Sequence, residues 1–203
     1  NDLLSKNSAY RSLKSFGLEG QITHLYYENL RTTINFYDEV IGFKQIDSGV
    51  FQVSRDTFIH LHEINEAHPK DQPKSTAIAF LTDQLPEWYF YIQEKKVPIK
   101  YTYKQREGGP HDGFVAIDPG GYLLEFEQFK QHSENELFMA VLEEAQRIET
   151  SVPNLNFYGS ITWTYHQDLL KMQKFYEEVL GHRLVADQGW TKIYQTSPTG
   201  FIG

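Results

Sequence analysis

Residues 20–43, GQITHLYYENLRTTINFYDEVIGF, align without a gap on residues 159–182, GSITWTYHQDLLKMQKFYEEVLGH, at a constant offset of 139. Identities include Gly20/Gly159, Ile22/Ile161, Thr23/Thr162, Leu30/Leu169, Phe36/Phe175, Tyr37/Tyr176, Glu39/Glu178, Val40/Val179 and Gly42/Gly181. A string that recurs this way builds one supersecondary unit twice, and such a unit buries its apolar face only by packing on a neighbour.

Each copy has the same physical grammar. Residues 21–27 and 160–165 are rich in β-branched and aromatic types, which predicts a strand. Asn29 and Asp168 suit helix N-caps. Leu30, Ile34, Tyr37 and Ile41 then recur at helical spacing, as do Leu169, Met172, Tyr176 and Leu180, and Gly42 and Gly181 suit C-caps. Strands over about 43–47, 50–54 and 57–63 complete a βαβββ unit. A weaker copy lies between: a strand at 76–82, a helix at about 84–96, a Gly-rich loop at 108–113, and two strands joined at Pro119-Gly120. Residues 134–149 predict an amphipathic helix with Leu137, Ala140, Val141, Ala145 and Ile148 on one face.

The organisation expected from this reading is an N-terminal extension at 1–19 and a first domain at 20–129 made of modules 20–64 and 75–129. A linker helix within 130–156 follows, then a third module at 157–203 that opens a second domain. The third module reaches Phe201-Ile202-Gly203 where the first carries Phe58-Ile59-His60, so its last strand is expected to be missing, with a fourth module to follow.

Bulk properties exclude some functions. Apolar residues at 40%, charged at 23% and aromatic at 15% are those of a folded globular chain. A net charge of −8 argues against nucleic acid, which needs a surplus of Lys and Arg on one face. No run approaches the roughly 20 apolar residues of a membrane-spanning helix. The absence of Cys removes disulfides and thiolate chemistry, and leaves the compartment open.

FYDEVIGF and FYEEVLGH after a strand, with DPGGYLLEFEQF at the end of the middle module, resemble the vicinal oxygen chelate superfamily of glyoxalases, bleomycin-resistance proteins and extradiol dioxygenases. The resemblance covers nearly the whole chain. It implies an α+β fold of repeated βαβββ modules, paired into a curved mixed sheet with helices on the outside. The first two modules are expected to pair through their first strands.

In metal-dependent members, ligands come from the first and last strands of both modules. Aligning Asn29-Leu30 with the family's Asp-Leu puts Ile22 and Ala77 at the two first-strand positions, and His60 and Glu125 at the two last-strand positions. Strand alternation places Ile22, His24 and Tyr26 on one face, and Phe58, His60 and His62 on one face of the 57–63 strand. Glu125 and Glu127 are expected to point inward from the 122–127 strand. The expected metal set is therefore His60 and Glu125, with His24 in place of Ile22. Glu125 doubles as the proton-transferring group, and Tyr26, Phe58, His62, Glu127 and His111 line the pocket. Without a metal, His60 and Glu125 are expected to hydrogen-bond in a polar hollow.

His111 in GGPHDG reads as a loop residue that could reach the cavity mouth, His166 as solvent-facing, and the WYFY run at 88–91 as core and interface. Two functions of different class follow from the resemblance. One is a glyoxalase- or dioxygenase-like enzyme using Zn, Mn, Ni or Fe on a small molecule; the other is a non-enzymatic small-molecule or antibiotic-sequestering protein. The expected partners are a small-molecule ligand, neither nucleic acid nor membrane, and a second copy in a homodimer that would cover the third module's open edge.

Overall fold

The computed structural model describes residues 17–203. Most of the expected N-terminal extension, residues 1–16, lies outside the described residues.

The first module runs β1 (Gln21–Tyr27), α1 (Leu30–Asn35, continued by a π turn over Phe36–Val40), β2 (Lys44–Asp47), β3 (Val50–Gln52) and β4 (Thr57–Glu63). The second runs β5 (Thr76–Leu81), α2 (Leu85–Glu94), β6 (Ile99–Lys104), β7 (His111–Ile117) and β8 (Leu123–Phe129). After α3 (Glu136–Glu143), β9 (Ile148–Glu149) and β10 (Asn156–Phe157), the third module runs β11 (Gly159–Thr164), α4 (Leu169–Lys174, continued by a π turn over Phe175–Val179), β12 (Arg183–Asp187), β13 (Lys192–Gln195) and β14 (Gly200–Ile202).

Local chemistry accounts for the helix ends. Asn29 Oδ1 accepts from the Thr32 amide at 3.0 Å and Asp168 Oδ1 from the Lys171 amide at 2.9 Å, each satisfying one orphan donor of the first turn. Gly42 and Gly181 close the helices at φ of +79° and +67°, where a side chain would strain the backbone.

The module pairing departs from expectation. β1 pairs in parallel with β4 within a four-stranded sheet of order β1-β4-β3-β2, while β5 pairs antiparallel with β11. The eight-stranded sheet, β12-β13-β14-β11-β5-β8-β7-β6, thus joins the second and third modules through their first strands, and the first module keeps a sheet of its own. The reason lies in the packing. Leu25, Tyr37, Phe43, Phe51 and Ile59 of the first module share one buried cluster with Phe80, Trp88, Phe114 and Phe126 of the second. These two modules meet across their helix-covered faces, which leaves β5 free to pair with β11. Each such fully buried aliphatic or aromatic side chain contributes about 1.5–3 kcal/mol.

Two further expectations are corrected. The third module's closing strand is present over Gly200–Ile202, parallel to β11 in the register Ile161↔Phe201. The helix expected over 134–149 spans only Glu136–Glu143, and its buried face is Phe138 and Leu142 rather than Ala140 and Val141. Phe138 and Leu142 cluster with Leu81, Phe129, Val185 and Phe201, so this segment covers part of the eight-stranded sheet. Ile148 goes instead into the short β9–β10 ladder. Among the described residues no helix is long and apolar enough to cross a membrane.

Candidate functional site

Strand alternation sends Leu25, Tyr27, Ile59 and Leu61 into the core, which turns Ile22, His24, Tyr26, Phe58, His60 and His62 to the opposite face of the first module's sheet. The parallel register sets His24 beside His60 and Tyr26 beside His62. Three imidazoles converge as a result. His24 Nδ1 and His62 Nε2 are 2.8 Å apart, and one ligand nitrogen from each of His24, His60 and His62 lies within 4.8 Å of the other two. The rings of His60 and His62 are 3.9 Å apart between centroids, and Tyr26 stacks on His68 at 3.7 Å beside them. Burial, and then the neighbouring imidazoles, hold His62 below its ordinary pKa. Three imidazoles this close are a donor set suited to a divalent ion such as Zn²⁺, Ni²⁺ or Fe²⁺.

Glu125 does not belong to this group. It stands on β8 of the other sheet, between Ala79 of β5 and Val115 of β7. With Glu127 and His111 it forms the shared wall of two hollows, of about 360 and about 400 Å³. The first is closed by Phe129, Trp163 and Tyr165; the second opens toward Lys100, Lys104 and Arg106. Burial pushes the Glu125 carboxyl up to about 7. Glu127, 7% exposed, is raised well above the carboxylate range by burial and then by the charge of Glu125. The indole N–H of Trp163 stands beside the Glu125 carboxyl and opposes its rise.

The expected site residues therefore divide in two. His24, His60, His62, Tyr26 and Phe58 share the first module's sheet, whereas Glu125, Glu127 and His111 face the cavity of the paired second and third modules. The separation follows from the module pairing, since His60 and Glu125 could meet only if β1 and β5 were neighbours. Ile22 is 53% exposed next to His24, and Ala77 is fully buried, so neither first-strand position offers a ligand. His111 opens strand β7 rather than lying in a loop, and His166 is exposed as expected. His62, expected in the pocket wall, shares its strand face with His60 and joins it in the imidazole cluster.

A third constellation went unforeseen. Asp118 of the DPGG string accepts hydrogen bonds from Tyr27 Oη at 2.6 Å and Tyr37 Oη at 2.9 Å, tying the first module's FY motif to the second module's turn. Gly120 lies so close to the Tyr27 ring that a Cβ there would sit 2.3 Å from it.

Comparison with known proteins sets these features in a family. The model of the Glyoxalase/Bleomycin resistance protein/Dioxygenase superfamily matches residues 20–126. No curated protein matches the chain. Among solved structures, a Bacillus subtilis protein named a putative dioxygenase is 14% identical at a TM-score of 0.56, over 91% of this chain and 63% of its own. A lactoylglutathione lyase from Agrobacterium tumefaciens is 19% identical at a TM-score of 0.46, over 53% of this chain and 91% of its own. An integron cassette protein from Vibrio cholerae is 25% identical at a TM-score of 0.44, over 55% and 94%. With its family match spanning more than half the sequence and its βαβββ modules joined into a mixed sheet, the chain belongs to the glyoxalase/bleomycin-resistance/dioxygenase superfamily.

Proposed function

We propose that this chain is a small-molecule enzyme of its superfamily that works with a divalent metal held by His24, His60 and His62. The observation that carries the reading is the convergence of three imidazole nitrogens within 4.8 Å on one sheet face. A bound divalent ion would supply Lewis-acid polarisation of oxygen atoms on a substrate. The protein's own groups do the rest. The contact between His24 Nδ1 and His62 Nε2 fixes the facing of two rings, and the Tyr26–His68 stack walls one side of the cluster. Ile22 and Phe58, further along the same face, offer an apolar surface to a substrate's carbon skeleton. In this reading His60 keeps the ligand role expected of it, and His62 takes the role expected of Glu125.

The test is calorimetric titration of the chelator-treated chain with Zn²⁺, Ni²⁺, Mn²⁺ and Fe²⁺. One equivalent is expected to bind, with affinity lost at least about tenfold in His60→Ala and in His62→Ala. Equal binding by wild type and both variants would overturn the reading and leave the family's non-enzymatic binding role as the better account.

A further inference from the structure

The helix of the third module keeps the motif of its counterpart in the first module but not its cover. In the first module Phe36, Tyr37 and Ile41 are buried against the second module, and Tyr91 of α2 donates its hydroxyl to the Val40 carbonyl at 3.0 Å. The equivalent residues of the third module stand open: Phe175 is 41% exposed against 9% for Phe36, and Val179 is 70% exposed. Tyr176 and Glu177 turn toward the module's own sheet, where both meet Tyr194. The outer face carries Leu170, Lys171, Lys174, Phe175, Glu178 and Val179, all of them exposed.

Differences between the two copies sharpen the contrast. Where α1 exposes Arg31, α4 has Leu170, which is 71% exposed. Thr32 and Asn35 correspond to Lys171 and Lys174, whereas the carboxylates of the motif persist, Asp38 and Glu39 as Glu177 and Glu178. A helix that faces only water has no use for leucine in place of arginine on its outer surface. Single exposed apolar side chains are common, but three on one helix face form a contiguous patch of the kind that marks an interface. The face is also self-complementary, with leucine and lysine toward its start and glutamate and valine toward its end. An antiparallel pairing centred between Lys174 and Phe175 sets position 170 against 179 and position 171 against 178.

We propose that the outer face of α4 is the interface of a weak homodimer, in which the third modules of two copies pack helix on helix, antiparallel about a two-fold axis. Leu170 of one copy lies on Val179 of the partner subunit, and Lys171 faces Glu178 of the partner subunit, each contact occurring twice by symmetry. Phe175 from each copy fills the centre beside the axis. A second copy fits this face because it returns both signs of charge and both apolar ends; a purely acidic or purely basic partner leaves one sign unmet. Six residues per copy fall well short of the about 20–30 residues a side of a standard interface, so dissociation lies in the micromolar range or above. The face is separate from β12, the strand that ends the eight-stranded sheet, and from the imidazole cluster on the first module's sheet.

Sedimentation velocity of the full chain over about 1–500 μM tests this, with a chelator present so that no metal ion bridges the imidazole clusters of two copies. Wild type is expected to pass from monomer toward dimer across that range. Leu170→Glu and Val179→Glu are each expected to weaken the dimer by about tenfold or more. Lys171→Glu and Glu178→Lys are expected to do the same, because each places like charges opposite one another at two points. An equimolar mixture of Lys171→Glu and Glu178→Lys is expected to dimerise again, since opposite charges then face each other at both points. Recovery on mixing is specific to the antiparallel register and distinguishes it from pairing through a strand edge. All four positions are exposed, and circular dichroism reads whether each variant keeps the fold; the mixing experiment needs only the two charge variants. A chain that stays monomeric throughout, a dimer unchanged by Val179→Glu and Lys171→Glu, or a mixture that associates no more tightly than its separate components would each overturn the proposal.

Discussion

Thr23 Oγ1 and Thr162 Oγ1 lie 2.7 Å apart, and these two residues are the same position in the two aligned stretches of the sequence. The first and third modules meet about this point, and neighbouring groups reinforce it. Gln21 Nε2 donates to Thr162 Oγ1 at 2.9 Å, and Asp56 Oδ1 accepts from Ser197 Oγ, the Thr199 amide and Thr199 Oγ1 at 2.6–2.9 Å.

Replacing Thr162 with Val strands both Gln21 and Thr23, and is expected to cost about 1–2 kcal/mol, more than Thr23→Val. The double variant should lose less than the sum of the two. Urea unfolding of the four-member cycle measures the coupling, expected at about 0.5–1 kcal/mol; strict additivity would mean the two hydroxyls do not act as a pair.

Asp118 links the first two modules more deeply. Burial raises its carboxyl, while hydrogen bonds from Tyr27, Tyr37 and the amides of Gly120 and Tyr122 oppose the rise. Asp118→Ala is expected to destabilise the fold by about 3 kcal/mol, because two buried phenol hydroxyls and two amides lose their acceptor. Tyr37→Phe should cost less, about 1 kcal/mol, since only one donor is removed. Denaturant midpoints of the two variants provide the comparison, and an Asp118→Ala midpoint equal to wild type would contradict the network.

Much of this was legible beforehand, and the residues show why. The N-caps Asn29 and Asp168, the C-caps Gly42 and Gly181, and the alternation that turns His60 and His62 away from Ile59 and Leu61 are local properties, encoded within one turn or one strand. Which module pairs with which is decided by long-range contacts such as Phe43 on Phe80 and Thr162 against Ile78, and nothing in the spacing of the modules carries that information. The site follows from that pairing: His60 and Glu125 stand on two different sheets. The helix after β8 departs from expectation because its apolar residues fit two stripes, and Phe138 and Leu142 fill the core while Val141 packs at its edge and Ala140 is exposed.

The imidazole cluster leads to a stability measurement. An ion that binds only the folded chain stabilises it by about 2.7 kcal/mol when its concentration is a hundred times the dissociation constant. Adding Zn²⁺ or Ni²⁺ at that excess is expected to raise Tm by several degrees in wild type and not in a His24→Ala, His60→Ala double variant. An equal rise in both would place the ion elsewhere.

The two neighbouring carboxyls on β8 set a pH dependence of the opposite sign to ordinary acid denaturation. Glu125 is raised from 4.5 to about 7 in the folded chain, and burial and the Glu125 charge raise Glu127 as well, so between the unfolded and folded values the native state holds protons that the unfolded state releases. Stability from these groups is then fully present below about pH 4.5 and falls as pH rises through 7. His62, His111 and His182, lowered by burial, work against this below about pH 6.5, because the unfolded chain gains protons there first. The difference between wild type and Glu127→Gln isolates the carboxyl contribution. Glutamine keeps the shape, removes the proton linkage, and is expected to be relatively more stable as pH rises from 5 to 8. Parallel stability curves for the two proteins across that range, from urea unfolding at half-unit steps, would show that Glu127 titrates alike in the folded and unfolded chain, and with it would go the case for a carboxyl held protonated in the hollow.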